Sequence, residues 1–231
     1  MRFSALLKKE LRESLPWMLL AAIILLAIGG FLLRVQAYYG LSSRSYSSLL
    51  AGNEVDSYQL IRYSPLKFTG PWLLVTSIGL GLALGVRHFW ITLFTKTWAF
   101  LIHRSVSRQT ILGAKLAAAT LALVVSLGAV WIGLYSYAGR LELFTVPPPA
   151  GFFIEGWLFI VLGLVVYLGT ALTALSTARW YTTKIFGLAF ATVVVCMIFL
   201  QWRISWAFAV VIIGIVILLS QIIETFLNRE F

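Results

Sequence analysis

The sequence predicts an all-α polytopic membrane protein with six transmembrane helices, preceded by an amphipathic helix that lies in the membrane plane. The 231 residues are 61% hydrophobic and only 11% charged, with a mean hydropathy of +0.95. A soluble domain carries about 25% charged residues. Six apolar stretches also come close to the ~20 residues that a helix needs to cross a bilayer. We therefore expect a single transmembrane domain over residues 1–231.

The apolar stretches define the predicted spans. Arg203 alone divides the last two stretches, which together are far too long for one crossing, so we expect a very tight turn at Gln201–Ser205. External loops are expected at residues 37–67, which are polar, and at 139–152, where three consecutive prolines favour an extended turn. The spans are expected at about 16–36, 68–88, 112–138, 153–178, 184–201 and 204–224.

The distribution of basic residues predicts the orientation. If the amino terminus is cytoplasmic, twelve of the 18 Lys and Arg residues flank the spans on the inner side and six flank them on the outer side. Cytoplasmic loops of membrane proteins carry such an excess. We expect both termini in the cytoplasm and the chain in the plasma (inner) membrane.

The net charge of +10 is spread between apolar stretches. This pattern favours contact with anionic membrane lipids, and we expect no nucleic-acid partner. The single cysteine, Cys196, lies in an apolar stretch and cannot form a disulfide within one chain.

Residues 1–15 predict an amphipathic elbow helix. Phe3, Leu7 and Leu11 recur at helical spacing, and charged residues fill most of the positions between them. Such a helix would lie in the membrane plane on the cytoplasmic side. Pro16 would then bend the chain into the first span.

The inner segment 87–115 is basic and aromatic and contains no Asp or Glu. Its stretch Thr97–Arg108, followed by Ile111–Lys115, resembles the inner loop of type-2 ABC export permeases, the transmembrane subunits of ATP-binding cassette exporters. The elbow helix and the six spans are similar to that family in layout. The resemblance covers the whole chain in layout and about 20 residues in motif.

The resemblance implies a function. This chain would be the permease subunit of an ATP-driven exporter, not an enzyme itself, and the segment 87–115 would include the coupling loop that docks on a cytoplasmic ABC-type ATPase subunit. It would need no cofactor, with ATP and Mg bound by the ATPase, and a second permease chain would complete a homo- or heterodimer. The residues assigned to coupling are Lys96, Trp98, Phe100, Leu101, His103, Arg104, Ser107 and Arg108.

Other signals for chemistry are sparse. The chain has no P-loop motif, so we expect no ATP site of its own. His88 and His103 have no acidic residue near them in the sequence, and all eight acidic residues lie in predicted flanks, loops or span ends. The predicted interior is therefore almost free of charge, which favours a hydrophobic or amphipathic cargo over an ion.

Two other functions remain open. One is a non-transporting anchor or assembly subunit of a larger complex, which would have the same apolar profile. The other is a membrane enzyme, for which His88 with Glu224 is the only pairing that the sequence offers.

Gly81 and Gly85 form a small-x-x-x-small step in the second span. Such steps let helices approach closely. The sequence leaves open whether these glycines pack within the chain or form a dimer seam.

Overall fold

The computed structural model describes residues 2–47, 66–95, 107–140, 144, 148–176, 185–200 and 204–228. Within these ranges the chain forms six helices and no strand. The all-helical prediction is thereby confirmed for this part of the chain. The helices are α1 (Arg2–Ser47), α2 (Thr69–Phe94), α3 (Arg108–Ala138), α4 (Ala150–Leu175), α5 (Phe186–Leu200) and α6 (Ile204–Asn228).

Five of these helices, all except α5, are long and apolar enough to cross a membrane. Helix α5 has 15 residues and is about 22 Å long at the usual rise per residue, whereas the bilayer core is ~30 Å thick. The described part of the chain is thus a bundle of apolar helices, as the composition predicts.

Helix α4 is the centre of the bundle. In its most apolar stretch 89% of the residues are buried, compared with 22% in α1 and 28% in α6. It packs against α2, α3, α5 and α6. The outer faces of α1 and α6 carry large apolar side chains such as Ile23, Phe31, Ile212 and Val216. Their exposure is typical of a surface whose solvent is lipid.

Helix α1 corrects the prediction of a separate elbow helix at residues 1–15. One helix runs without interruption through Pro16. Proline at this position removes one backbone hydrogen bond, but α1 packs along α3 on both sides of it, from Phe3 beside Gly113 to Gly29 beside Leu134. Packing over this length holds the two parts of α1 in one helix.

The predicted loop boundaries also change. Helix α1 continues to Ser47, so the first residues of the predicted external loop 37–67 are helical, while residues 48–65 lie outside the described ranges. Helix α2 continues to Phe94 and α3 begins at Arg108. The segment between them therefore covers residues 95–107, which is much shorter than the predicted 87–115, because the basic residues near both ends of that range are helical.

Helix α2 changes its helical type along its length. It is α-helical over Thr69–Gly85, π-helical over Val86–Ile91 and α-helical again over Thr92–Phe94. We call Val86–Ile91 the π segment. It lies at the end of the bundle where α1 and α3 begin, which we call the amino-terminal end.

Candidate functional site

A buried ion pair joins α1 to α3 at the amino-terminal end. The Nζ atom of Lys115 donates to Oε1 of Glu10 at 2.9 Å, and the two side chains are only 2% and 10% exposed. Glu10 belongs to the buried stripe of α1, in line with Leu6 and Ser14 at spacings of four residues. Paired charges of this kind are costly to remove from water and require close geometry.

His88 of the π segment lies against this pair and is 1% exposed. Its Nε2 atom is 3.1 Å from Oγ of Ser14 and 3.6 Å from Oε2 of Glu10. Its Nδ1 atom is 3.2 Å from the hydroxyl of Tyr167 on α4, and the two rings meet edge to face. One imidazole thus contacts both α1 and α4.

Tyr167 completes the set of contacts. Its buried hydroxyl donates to the backbone carbonyl of Lys115 at 3.2 Å. Oγ of Ser14 donates to the backbone carbonyl of Glu10 at 2.8 Å, so Ser14, a neutral His88 and Tyr167 supply three hydrogens for four polar contacts. The tautomer of His88 decides which three of these contacts are hydrogen bonds. Together the polar contacts run from α1 through α2 and α4 to α3. We call Glu10, Ser14, His88, Lys115 and Tyr167 the polar cluster.

The π segment places His88 in this cluster. A π turn carries one residue more than an α turn would, and the consecutive residues His88 and Phe89 are both buried. Phe89 packs near the Tyr167 ring, with the ring centres 6.1 Å apart. Short π segments occur frequently at functional sites.

A second pair of charged contacts lies at the rim of the cluster. Glu13 is 3.5 Å from Arg87 and 3.9 Å from Lys9, and all three side chains are at least 30% exposed. Exposed pairs of this kind contribute little to stability. The rim thus extends the contact between α1 and α2 but contributes less to stability than the buried pair does.

The cluster corrects two predictions. The interior is not almost free of charge, since Glu10 and Lys115 are both buried. The pairing of His88 with Glu224 is not formed, because the acidic neighbour of His88 is Glu10, which is distant in the sequence, and Glu224 is exposed on α6. The polar atoms of the cluster point at one another, so its chemistry is mutual hydrogen bonding and ion pairing. In the described part of the chain no group of three or more His, Cys, Asp or Glu residues is placed to hold a metal ion.

Of the residues assigned to coupling, Ser107 and Arg108 are described. The Oγ atom of Ser107 accepts from the backbone N–H of Thr110 at 3.2 Å and so caps α3. The guanidinium of Arg108 donates to the carbonyl of Leu227 on α6 at 3.2 Å. The remaining coupling residues lie outside the described ranges: Lys96, Trp98, Phe100, Leu101, His103 and Arg104.

The three elbow residues lie on α1. Phe3 is 43% exposed and contacts α3 near Gly113, while Leu7 and Leu11 are half-buried. The sequence predicts that this leucine-rich face lies against the membrane. The stripe of α1 that is buried within the protein contains Glu10 and Ser14, and it continues to Ala21 and Leu25 beyond Pro16.

The two glycines of the small-residue step face α4 of the same chain. A methyl group on Gly81 would overlap the carbonyl of Gly163, and one on Gly85 would lie 2.6 Å from Cβ of Thr170. Both glycines are buried. The step therefore serves packing within the chain, because α4 already lies against the surface that the two glycines form.

In comparisons with known proteins, no protein-family model, no curated protein and no solved structure matches the chain.

Proposed function

We propose that this chain is the membrane-spanning permease subunit of an ATP-driven exporter in the plasma (inner) membrane. Its amino-terminal end faces the cytoplasm, together with both termini. A separate ABC-type ATPase subunit docks on the segment between α2 and α3 and supplies the energy. Two permease chains, identical or paralogous, form one transport unit, and the cargo is hydrophobic or amphipathic.

The observation that carries the proposal is the attachment of both ends of the 95–107 segment to the rest of the bundle. On the α2 side, His88 contacts α1 and α4. On the α3 side, Lys115 is paired with Glu10, and Arg108 is bonded to the carbonyl of Leu227 on α6. A displacement of this segment would be transmitted to α1 and α4 through buried contacts and to α6 through a part-buried one. A coupling element requires such transmission.

The charges of the amino-terminal end support the proposed orientation. Lys8, Lys9 and Arg12 are exposed on α1, and Arg87 lies beside them on α2. An excess of basic residues is typical of the cytoplasmic side. The same surface suits contact with anionic lipids around a docked partner.

The shape of the apolar surface supports a hydrophobic or amphipathic cargo. An open groove of about 260 Å³ runs between α1 and α2 and is lined almost entirely by apolar side chains, among them Trp17, Ile24, Trp72 and Val75. This volume exceeds that of an apolar cavity of about 150 Å³ known to bind benzene. The groove thus has room for part of an apolar molecule.

The docking step is tested by co-purification from native membranes. We expect a P-loop ATPase to co-purify with the tagged chain and to hydrolyse ATP. Arg104→Glu should reduce the recovered ATPase at least about tenfold, as loss of an arginine anchor does at interfaces. Arg140→Glu, which changes an exposed arginine just beyond the far end of α3, is the matched control. Arg108→Glu is unsuitable because it would also break the bond to Leu227.

Failure to recover any ATPase in mild detergent and after cross-linking in membranes would overturn the exporter proposal. That outcome would favour an anchor or assembly subunit. Equal recovery with Arg104→Glu and with the control would place the docking surface elsewhere.

A further inference from the structure

The two sides of the π segment are held very differently. On the side of Gly85, α2 is fixed against α4, because Gly81 and Gly85 leave no space for even a methyl group. On the other side the chain continues for one short helical turn, Thr92–Phe94, whose Leu93 packs against the core as a partly buried side chain. A change of helical type in this segment would therefore turn the short side and leave the long side in place.

The size of that turn follows from helix geometry. Each residue of an α-helix advances the chain by roughly 100° around the axis. A π segment accommodates one extra residue, so its conversion to α-helix rotates the turn Thr92–Phe94 and Thr95 by about the same angle. His88 and Phe89 would turn away from their present contacts part of the way through this rotation.

The contacts of His88 hold the π form. Its two ring nitrogens contact Ser14 of α1 and Tyr167 of α4, and both partners are buried. An α-helical form would give up both contacts in exchange for regular backbone bonding. The two forms are thus stabilised by different groups, as a two-state element requires.

We propose that Val86–Ile91 is a two-state segment that controls the orientation of the entry to the 95–107 segment. In the π form His88 binds α1 and α4. In the α form the turn Thr92–Phe94 and Thr95 are rotated, and His88 is released. This inference rests on the proposed function for the cause of the conversion: docking and closure of the ATPase displace the 95–107 segment.

The test measures one distance across the 95–107 segment. Spin labels are placed at Thr95→Cys and Gln109→Cys, both exposed positions, in a Cys196→Ala background. The purified chain is studied in lipid nanodiscs by pulsed electron paramagnetic resonance. We expect one main distance with the native His88, and a second distance in His88→Leu. The ratio of the second to the first should rise about 25-fold, because the polar contacts of both ring nitrogens are lost and each is counted at the strength of an ordinary hydrogen bond.

A milder variant covers the possibility that His88→Leu does not fold. Tyr167→Phe removes one of the two contacts and should raise the same ratio about fivefold. Tyr135→Phe is the matched control, since its hydroxyl donates to the carbonyl of Pro148 at the opposite end of the bundle. It should leave the ratio unchanged.

Deletion of Trp90 tests whether the extra residue of the π segment causes the second distance. Without it the segment can be α-helical while the turn beyond keeps its orientation, so the second distance should disappear from the Tyr167→Phe protein. Persistence of the second distance after the deletion, or a single unchanged distance in both His88→Leu and Tyr167→Phe, would overturn the two-state segment.

The same labels separate this inference from the exporter proposal. Addition of the partner ATPase with a non-hydrolysable ATP analogue should shift the native chain toward the second distance. If the variants shift the distance but no ATPase is recovered, the two-state segment stands and the exporter proposal fails. If the ATPase binds and the variants leave the distance unchanged, the reverse holds.

Discussion

The contact of α1 and α3 at the amino-terminal end and the contact of α2 and α4 in the middle of the bundle use opposite means to join helices. The first depends on long polar side chains, with Glu10 and Lys115 meeting at 2.9 Å. The second depends on the absence of side chains, since Gly81 and Gly163 bring two backbones together. Polar contacts fail when one partner is removed, whereas the backbone contact fails when one atom is added.

This difference has a consequence for movement. A backbone contact between glycines has one arrangement, because the surfaces are complementary over whole turns of helix. A cluster of hydrogen-bonded side chains can exchange partners without opening the bundle. The polar cluster is therefore the place where α2 can change its conformation, and the glycine contact fixes the part that does not.

The largest effect is expected from breaking the buried ion pair. Glu10→Ala leaves Lys115 buried without its carboxylate and should lower the free energy of unfolding by about 3–5 kcal/mol. Thermal and detergent-titrated unfolding in micelles measures the change. Glu224→Ala, at an exposed position of α6, should have almost no effect.

A double variant sharpens the same comparison. Glu10→Met with Lys115→Met should recover most of the lost stability, because an apolar pair of similar size replaces both charges. No recovery would show that the ion pair is not the source of the loss.

The second effect concerns the glycine contact. Gly81→Ala should destabilise the chain by about 1–3 kcal/mol, as overpacking does, because its Cβ would overlap the carbonyl of Gly163. Gly79→Ala is the control on the same helix, where a Cβ meets nothing within 4 Å. It should stabilise α2 by up to about 1 kcal/mol through helix propensity. Equal effects at the two positions would contradict the close approach of α2 and α4.

The third effect comes from one hydroxyl. Tyr167→Phe should cost about 1–2 kcal/mol of unfolding free energy, since a buried donor and acceptor is lost to His88 and to the carbonyl of Lys115. Tyr135→Phe loses a single bond at a half-buried site and should cost less. Thermal unfolding of the two variants side by side measures the difference, and a greater cost for Tyr135→Phe would be evidence against the cluster.

The smallest effect is expected at the start of α3. Ser107→Ala removes the cap of this helix and should cost about 1 kcal/mol. Ser136→Ala, at an exposed position late in the same helix, should change stability by less than about 0.5 kcal/mol. Limited proteolysis between α2 and α3 offers a second measurement, with faster cleavage expected only in Ser107→Ala.

Several features of the fold are readable from local patterns. The end of the third span near residue 138 agrees with the end of α3 at Ala138, and the fourth span begins within a few residues of α4 at Ala150. A run of apolar residues bounded by glycine, arginine or proline is a strong signal. The end of α1 lacked such a signal, because residues 37–47 contain one glycine and no proline, and helix was as compatible with them as loop.

Local sequence patterns could not predict the polar cluster. Glu10 and Glu13 are close in sequence and equally charged, yet only Glu10 is buried. Its partners lie 78 and 105 positions away, in His88 and Lys115. One signal was present: Leu6, Glu10 and Ser14 continue the spacing that buries Ala21 and Leu25. The apolar pattern of Phe3, Leu7 and Leu11 is stronger and indicated a different face of the helix.

By itself the sequence determined that this is a helical chain with membrane-length apolar segments, because hydropathy over ~20 residues is a local property that needs no knowledge of neighbours. It also determined where the basic residues lie between those segments. Only the tertiary structure decided which charged residues leave the surface, that α1 runs unbroken through Pro16, and that His88 contacts both α1 and α4. These outcomes depend on which helices become neighbours. A charged side chain can be buried only where another helix supplies a side chain of opposite charge close to it.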